Sequence, residues 1–196
     1  MISTTQDDWK TMFVLYCLLT YFIASIPFGL IIGFLGYSTD IRQMGSHNIG
    51  MTNVWRTLGF APAVLTLLGD AGKGWAVVYF SKYTDPCSLT ILAIVAILGH
   101  CYSLFLQGKG GKGVATAFGT LLAIHCSVAG WILSIWIIVR IISRKSSLSA
   151  FAALSTLPVL IWYYIPAFGW LAAVLPLIIL WQHRENIQRL QMGTES

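Results

Sequence analysis

The stretch GVATAFGTLLAIHCSVAGWILSIWIIVRIIS, residues 113–143, carries no charge before Arg140 and reads in two ways. It is one long helix, or two short helices that turn near His125, Cys126 and Ser127. Every later segment reverses its direction across the bilayer between these readings, so this stretch decides the fold. Three other charge-free intervals surround it, Thr11 to Thr39, Pro86 to Gly108 and Ser146 to His183. A bilayer span needs about 20 predominantly apolar residues, and the last interval is long enough for a hairpin of two.

Composition agrees. The chain is 196 residues long, 57% apolar and 10% charged, where soluble domains carry roughly 25% charged residues. Mean hydropathy is +0.75. An integral membrane protein of the all-α class is expected, because lipid satisfies no backbone amide and the alternating strands of a barrel are absent from the pattern. Length favours a single compact bundle, residues 1–196 as one domain. Asp7 and Asp8 stand where a cleavable signal would be positive, so the first apolar stretch is expected to remain. Cys17, Cys87, Cys101 and Cys126 lack metal-ligand spacing and read as small packing residues. No metal, cofactor or nucleic-acid partner is expected.

Spans are placed near 12–35, 58–80, 88–106, 114–125, 127–143, 148–165 and 168–183. With seven spans and the loop around Lys109 inside, Arg42, Arg56, Lys109, Lys112, Arg140, Arg144, Lys145, Arg184 and Arg189 lie at cytoplasmic ends, and only Lys10 and Lys82 lie outside. With six spans, Arg140, Arg144, Lys145, Arg184 and Arg189 move to the outer face against the positive-inside bias. Seven spans are preferred, with the amino terminus outside and the carboxyl terminus in the cytoplasm. The fourth span, about 12 residues, rises only about 18 Å, well short of a 30 Å hydrocarbon core. Its start is expected to sink below the lipid surface, where the positive end of the helix dipole faces an anion.

That start is Gly108-Lys-Gly-Gly-Lys-Gly113. Consecutive glycines let N–H groups converge on an anion, and each lysine adds a mobile cation, so a phosphate site follows. The plainer alternative is a basic cytoplasmic turn. The loop after the first span, Met44-Gly-Ser-His-Asn-Ile-Gly-Met-Thr-Asn-Val-Trp-Arg56, offers Ser46, Asn48, Thr52 and Asn53 as neutral hydrogen-bonding groups and Arg56 as a fork for phosphate oxygens. Alternatively it is a solvated turn that caps a helix. Asp70 and Lys73 share a helical face within the second span, as a substrate contact or a brace between helices. Ala71-Gly-Lys-Gly-Trp-Ala76 echoes Gly110-Gly-Lys-Gly-Val-Ala115, which makes a parallel duplication conceivable. At the last span's end, His183 and Asn186 project from one side, and Glu185 points largely away. His100 and His125 read as packing or hydrogen-bonded residues.

Serine-hydrolase and nucleotide-hydrolysis chemistry lack their motifs. There is no G-x-S-x-G elbow, Leu106 stands where the first glycine of a Walker motif belongs, and no histidine is followed five positions later by aspartate.

Together the blocks GSHNIGMTNVWR, GKGGKGVAT and HRENIQRL resemble the bacterial acyl-phosphate:glycerol-3-phosphate acyltransferases over most of the chain. The resemblance implies a seven-span plasma-membrane enzyme with its active site facing the cytoplasm. It would make lysophosphatidic acid from acyl phosphate and glycerol 3-phosphate, the first acylation of phospholipid synthesis, with a soluble phosphate acyltransferase supplying the donor. It assigns catalytic positions to Ser46, Arg56, Lys112, His183 and Asn186 and matches Gly110, Gly111 and Gly113 to the family's glycerol phosphate loop; beside these, Asn48, Thr52, Asn53, Lys73, Lys109 and Thr116 are expected as further substrate contacts. Glu185 matches a position of structural role. The competing class is a transporter of a phosphorylated small molecule, which the scarcity of polar residues on the outer face disfavours.

Overall fold

The computed structural model describes residues 6–82 and 84–195, with side chains from Trp9 onward. Asp7 and Asp8, on which the expected retention of the first stretch rests, are therefore outside the described side chains. Ten α-helices follow in order: α1 Gln6–Ala24, α2 Phe28–Tyr37, α3 Met51–Leu58, α4 Phe60–Phe80, α5 Pro86–Cys101, α6 Val114–Ile124, α7 Cys126–Ser143, α8 Ser146–Tyr164, α9 Gly169–Gln182 and α10 Arg184–Gln191. No strand occurs among the described residues.

The stretch 113–143 forms two helices. His125 alone separates them, in an extended conformation (φ −158°, ψ 109°), and its Nδ1 accepts the Val128 N–H at 3.4 Å. A side-chain acceptor at the cap satisfies one of the N–H groups that a helix start leaves open. The first apolar stretch differs from expectation: the span drawn at 12–35 is broken between α1 and α2. Pro27 has no N–H to donate to the preceding turn. The carbonyls released there are taken up by side chains, Ser25 O by Ser103 Oγ at 2.5 Å and Ile26 O by Lys73 Nζ at 2.7 Å.

By length and composition four segments can cross a membrane, Trp9–Tyr37, Pro86–Leu106, Cys126–Ser143 and Ser146–Tyr164, and a fifth if Pro166–Gln182 and Arg184–Gln191, bent by 60°, count as one. Helix α4 falls outside because Asp70 and Lys73 lower its hydropathy, and α6 because it is short. The outer surface is apolar: Leu35 is 85%, Ile142 78%, Trp162 76% and Trp170 75% exposed. Such a surface is suited to hydrocarbon, and the chain is a multi-pass membrane protein.

The larger core fills the space among α5 to α9 with Ile97, Leu121, Leu157, Leu171, Leu175 and Ile179. A smaller core of Leu30, Ile41, Ile49, Val54, Ala63 and Leu106 lies beneath the first loop. Helices α4 and α6 cross closely: a Cβ on Gly119 would come within 1.9 Å of the Ala71 carbonyl. Small residues permit such backbone contact where no hydrophobic effect drives helices together. The two echoing hexapeptides have different backbones, Ala71–Ala76 lying inside α4 and Gly110–Ala115 running from a loop into α6, so they form no structural repeat. The crossing places the first loop, the glycine-rich loop and α10 at one end of the bundle.

Candidate active site

A cavity of about 260 Å³ opens among these three segments. Ser46, Asn48, Thr52 and Arg56 reach it from the first loop and α3, Lys112 and Gly113 from the glycine-rich loop, and His183 and Asn186 from the α9–α10 junction. Residues scattered over most of the chain thus share one space. Its deeper wall is apolar, built from Phe118, Leu121, Ile132, Leu133, Trp136 and Leu154.

Each polar group is held by its own segment. Asn53 is buried, its Nδ2 facing Met44 O at 2.9 Å and Asn48 O at 2.8 Å while its Oδ1 accepts the Ser46 N–H at 2.8 Å. One amide thereby folds the loop around itself and presents Ser46 to the cavity. Asn48 Oδ1 accepts the Gly50 N–H at 2.9 Å, and Thr52 Oγ1 meets Ser146 Oγ at 3.1 Å, tying α3 to α8.

Lys112 Nζ donates to Asn186 Oδ1. Burial, reinforced by the nearby Arg189, lowers the Lys112 ammonium to a pKa of about 8. His183 lies at the bend beyond α9, with its Nδ1 2.8 Å from Ile179 O. Burial, with Lys112 alongside, pushes its pKa down to about 4, so the ring is neutral at physiological pH. A carbonyl beside Nδ1 assigns the proton to that nitrogen and leaves Nε2 as an acceptor. Partial desolvation and the neighbouring Arg140 also lower Arg56, so two cations face the cavity, the half-buried Lys112 and the more exposed Arg56.

The family model described as Glycerol-3-phosphate acyltransferase matches residues 14–193. The chain belongs to the glycerol-3-phosphate acyltransferase family. It is 44% identical over 189 residues to the glycerol-3-phosphate acyltransferase of Bordetella petrii, covering 91% of this chain and 89% of the relative. It is 42% identical over 187 residues to that of Rhodopseudomonas palustris, covering 94% and 95%. The crystal structure of PlsY, an integral membrane glycerol 3-phosphate acyltransferase, superposes in its glycerol 3-phosphate form with a TM-score of 0.88 at 34% identity, over 94% of each chain. The lysophosphatidic acid form of PlsY gives 0.87 at 33% identity.

Against this glycerol-3-phosphate acyltransferase fold, several expected site residues occupy other positions. Lys73, Lys109, Gly110, Gly111 and Thr116 are not among the residues lining the cavity. Lys73 Nζ is 2.9 Å from Asp70 Oδ1, and His100 Nδ1 is 3.4 Å from the same oxygen. The brace reading of Lys73 therefore fits the geometry. Lys109 is exposed, and Thr116 is buried where α6 crosses α4.

The glycine-rich loop also departs from an amide cradle. Gly110 N–H bonds Cys101 O at 3.0 Å and Gly111 N–H bonds His100 O at 3.1 Å. A Cβ on Gly110 would meet His100 O at 2.0 Å, and one on Gly111 would meet His100 Nε2 at 2.2 Å. These glycines let the loop lie flat on the end of α5, which aims Lys112 into the cavity. The start of α6 borders the cavity instead, with Gly113, Val114 and Ala115 lining it and no side chain capping the N–H groups of its first turn.

Sequence reasoning missed Ser146, Ser147, Arg189 and Glu195, all of which line the cavity. The only available signals were two serines interrupting a basic turn between apolar stretches, and a carboxylate two residues after Gly193.

Proposed function

We propose that this protein transfers a fatty acyl group from acyl phosphate to glycerol 3-phosphate, releasing lysophosphatidic acid and inorganic phosphate. The observation that carries the reading is one cavity with two characters: Arg56, Lys112 and the α6 start at its polar mouth, and Phe118, Leu133 and Trp136 along its apolar wall. That combination suits two phosphorylated reactants, one bearing a hydrocarbon tail. Acyl phosphate is already a mixed anhydride, so a nucleophilic side chain is unnecessary. The hydroxyl oxygen attacks the carbonyl carbon, the bond from that carbon to the phosphate oxygen breaks, and the acyl ester forms directly.

Lys112 and the α6 start hold the glycerol phosphate, and Arg56 with Ser46 holds the acyl phosphate head. Both cations also stabilise charge developing on the leaving phosphate. His183 Nε2 accepts a hydrogen bond from the attacking hydroxyl and orients it. With its pKa near 4 the imidazole is a weak base, whereas a phosphate monoester has a second pKa near 6. The proton therefore passes to a phosphate oxygen of the substrate. Asn48 and Thr52 complete the polar wall.

The same reading carries the topology. Trp9–Tyr37, α4, Pro86–Leu106, α6, α7, α8 and Pro166–Gln182 make seven spans of a single domain, residues 1–196, with the amino terminus outside. The site then opens to the cytoplasm at the bacterial inner membrane, where a soluble phosphate acyltransferase supplies the donor. Purified protein given acyl phosphate and labelled glycerol 3-phosphate should form labelled lysophosphatidic acid and one phosphate per turnover. Uptake into liposomes without lipid product would replace this reading with a carrier.

A further inference from the structure

Glu195 lies in the last turn of chain after α10, yet its side chain is only 6% exposed. A carboxylate able to reach water enters such a place only when donors replace its hydration. Three do. Asn186 Nδ2 donates to Oε1 at 2.7 Å, Ser147 Oγ to the same oxygen at 2.9 Å, and Arg189 Nε to Oε2 at 3.2 Å. These hydrogen bonds outweigh the rise that burial alone would cause and hold the carboxyl below its ordinary range, ionised at neutral pH.

The backbone is shaped to deliver it. Gly193 turns the chain with a φ of +71°, and the N–H groups of Thr194 and Glu195 return to Arg189 O at 2.8 and 3.2 Å. This is a helix C-terminal reversal of the kind glycine favours. It points Glu195 back along α10 toward the cavity.

The consequence lies in the Asn186 amide, whose two ends are chemically distinct. Because Nδ2 donates to Glu195, Oδ1 must face Lys112, where it accepts the ammonium proton. With the amide turned over, an NH2 group would face the ammonium and two donors would oppose each other. We infer that Glu195 is a positioning residue of the active site: through Asn186 it directs Lys112 into the cavity, and through Ser147 and Arg189 it ties α8 and α10 around that lysine. The inference rests on the acyl-transfer reading above and assigns Glu195 no contact with substrate.

Its charge has a second effect. Lys112 is faced by Arg189 and Glu185 from α10, Glu195 from the turn, Arg56 from α3 and His183 from the α9 end, and of these only Glu195 and Glu185 favour its protonated form. Removing Glu195 should therefore lower the Lys112 pKa further, an effect that simple loosening of the tail would not produce.

The test compares wild type, Glu195→Ala and Glu195→Gln as purified full-length protein, reading kcat/KM for glycerol 3-phosphate from pH 6 to 10. Glu195→Ala should lose about tenfold in kcat/KM, the scale of one charge-assisted hydrogen bond. Its alkaline limb should move to lower pH by about half a unit or more. Glu195→Gln should recover part of the rate, because its carbonyl still accepts from Asn186, while keeping the displaced limb. An Ala variant with unchanged kcat/KM and limb would overturn the inference. So would an Ala variant with higher activity and lower KM, which would make Glu195 a competing anion. Wild-type turnover reports separately on the acyl-transfer reading.

Discussion

Lys73, which is buried, and Lys112, which is half-buried, both stand between glycines, yet they have opposite surroundings. Lys73 points along α4 to Asp70, one helical turn away, and to the carbonyl of Ile26 at the break after α1. Lys112 leaves a loop, takes a neutral amide from Asn186 and faces the cavity. A carboxylate at i−3 closes the charge of the first on itself, whereas the second has no acid of its own segment in reach and remains available to an anion. Burial alone therefore does not mark a functional cation. The partner does.

The largest test of this contrast is Lys73→Ala, which strands Asp70 in the bundle with only His100 beside it. Stability should fall by about 3–5 kcal/mol, seen as a much lower melting temperature in detergent. A melt like wild type would dissolve the brace. Lys112→Ala should do the reverse, lowering kcat/KM by about 10²–10³ with little change in melting. Full transfer by that variant would end the electrostatic role proposed for it.

Gly111→Ala sharpens the boundary between the two regions, because its Cβ would strike His100, which also contacts Asp70. A loss of about 1–3 kcal/mol in stability should accompany any fall in activity. A raised KM for glycerol 3-phosphate at unchanged stability would instead mean that the loop amides bind substrate. For pH, the Lys112 ammonium is protonated below about 8 and neutral above it. The attraction for a phosphate is thus present at pH 7 and lost as pH rises, so kcat/KM should fall about tenfold per unit above that point. The smallest effect is expected from Cys101→Ala, a buried core position, with about 1 kcal/mol lost and transfer retained.

Much of the site was legible because polar residues are rare in this chain. Ser46, Arg56, Lys112, His183 and Asn186 stood out against long apolar stretches, and all of them line the cavity. Asn53 was legible as polar but not as the brace of its own loop, since that depends on the carbonyls of Ile41, Met44 and Asn48 being brought around it by folding. Lys109, Gly110 and Gly111 were read by composition as an anion cradle. The direction in which their amides point depends on how closely the loop approaches α5, which composition does not encode. Ser147 and Glu195 carried only faint local signals, a serine in a basic turn and a carboxylate just after Gly193.

Hydropathy and the placement of charge were enough to indicate a helical membrane protein and the turn at His125, because each is a property of residues near one another along the chain, and three short motif blocks carried the resemblance to the family. Which loop amides are spent and which carboxylate returns to the cavity are set by the approach of the glycine-rich loop to α5, by contacts between α8 and α10, and by the turn that follows α10. Those contacts depend on distances in space, to which spacing along the chain is blind.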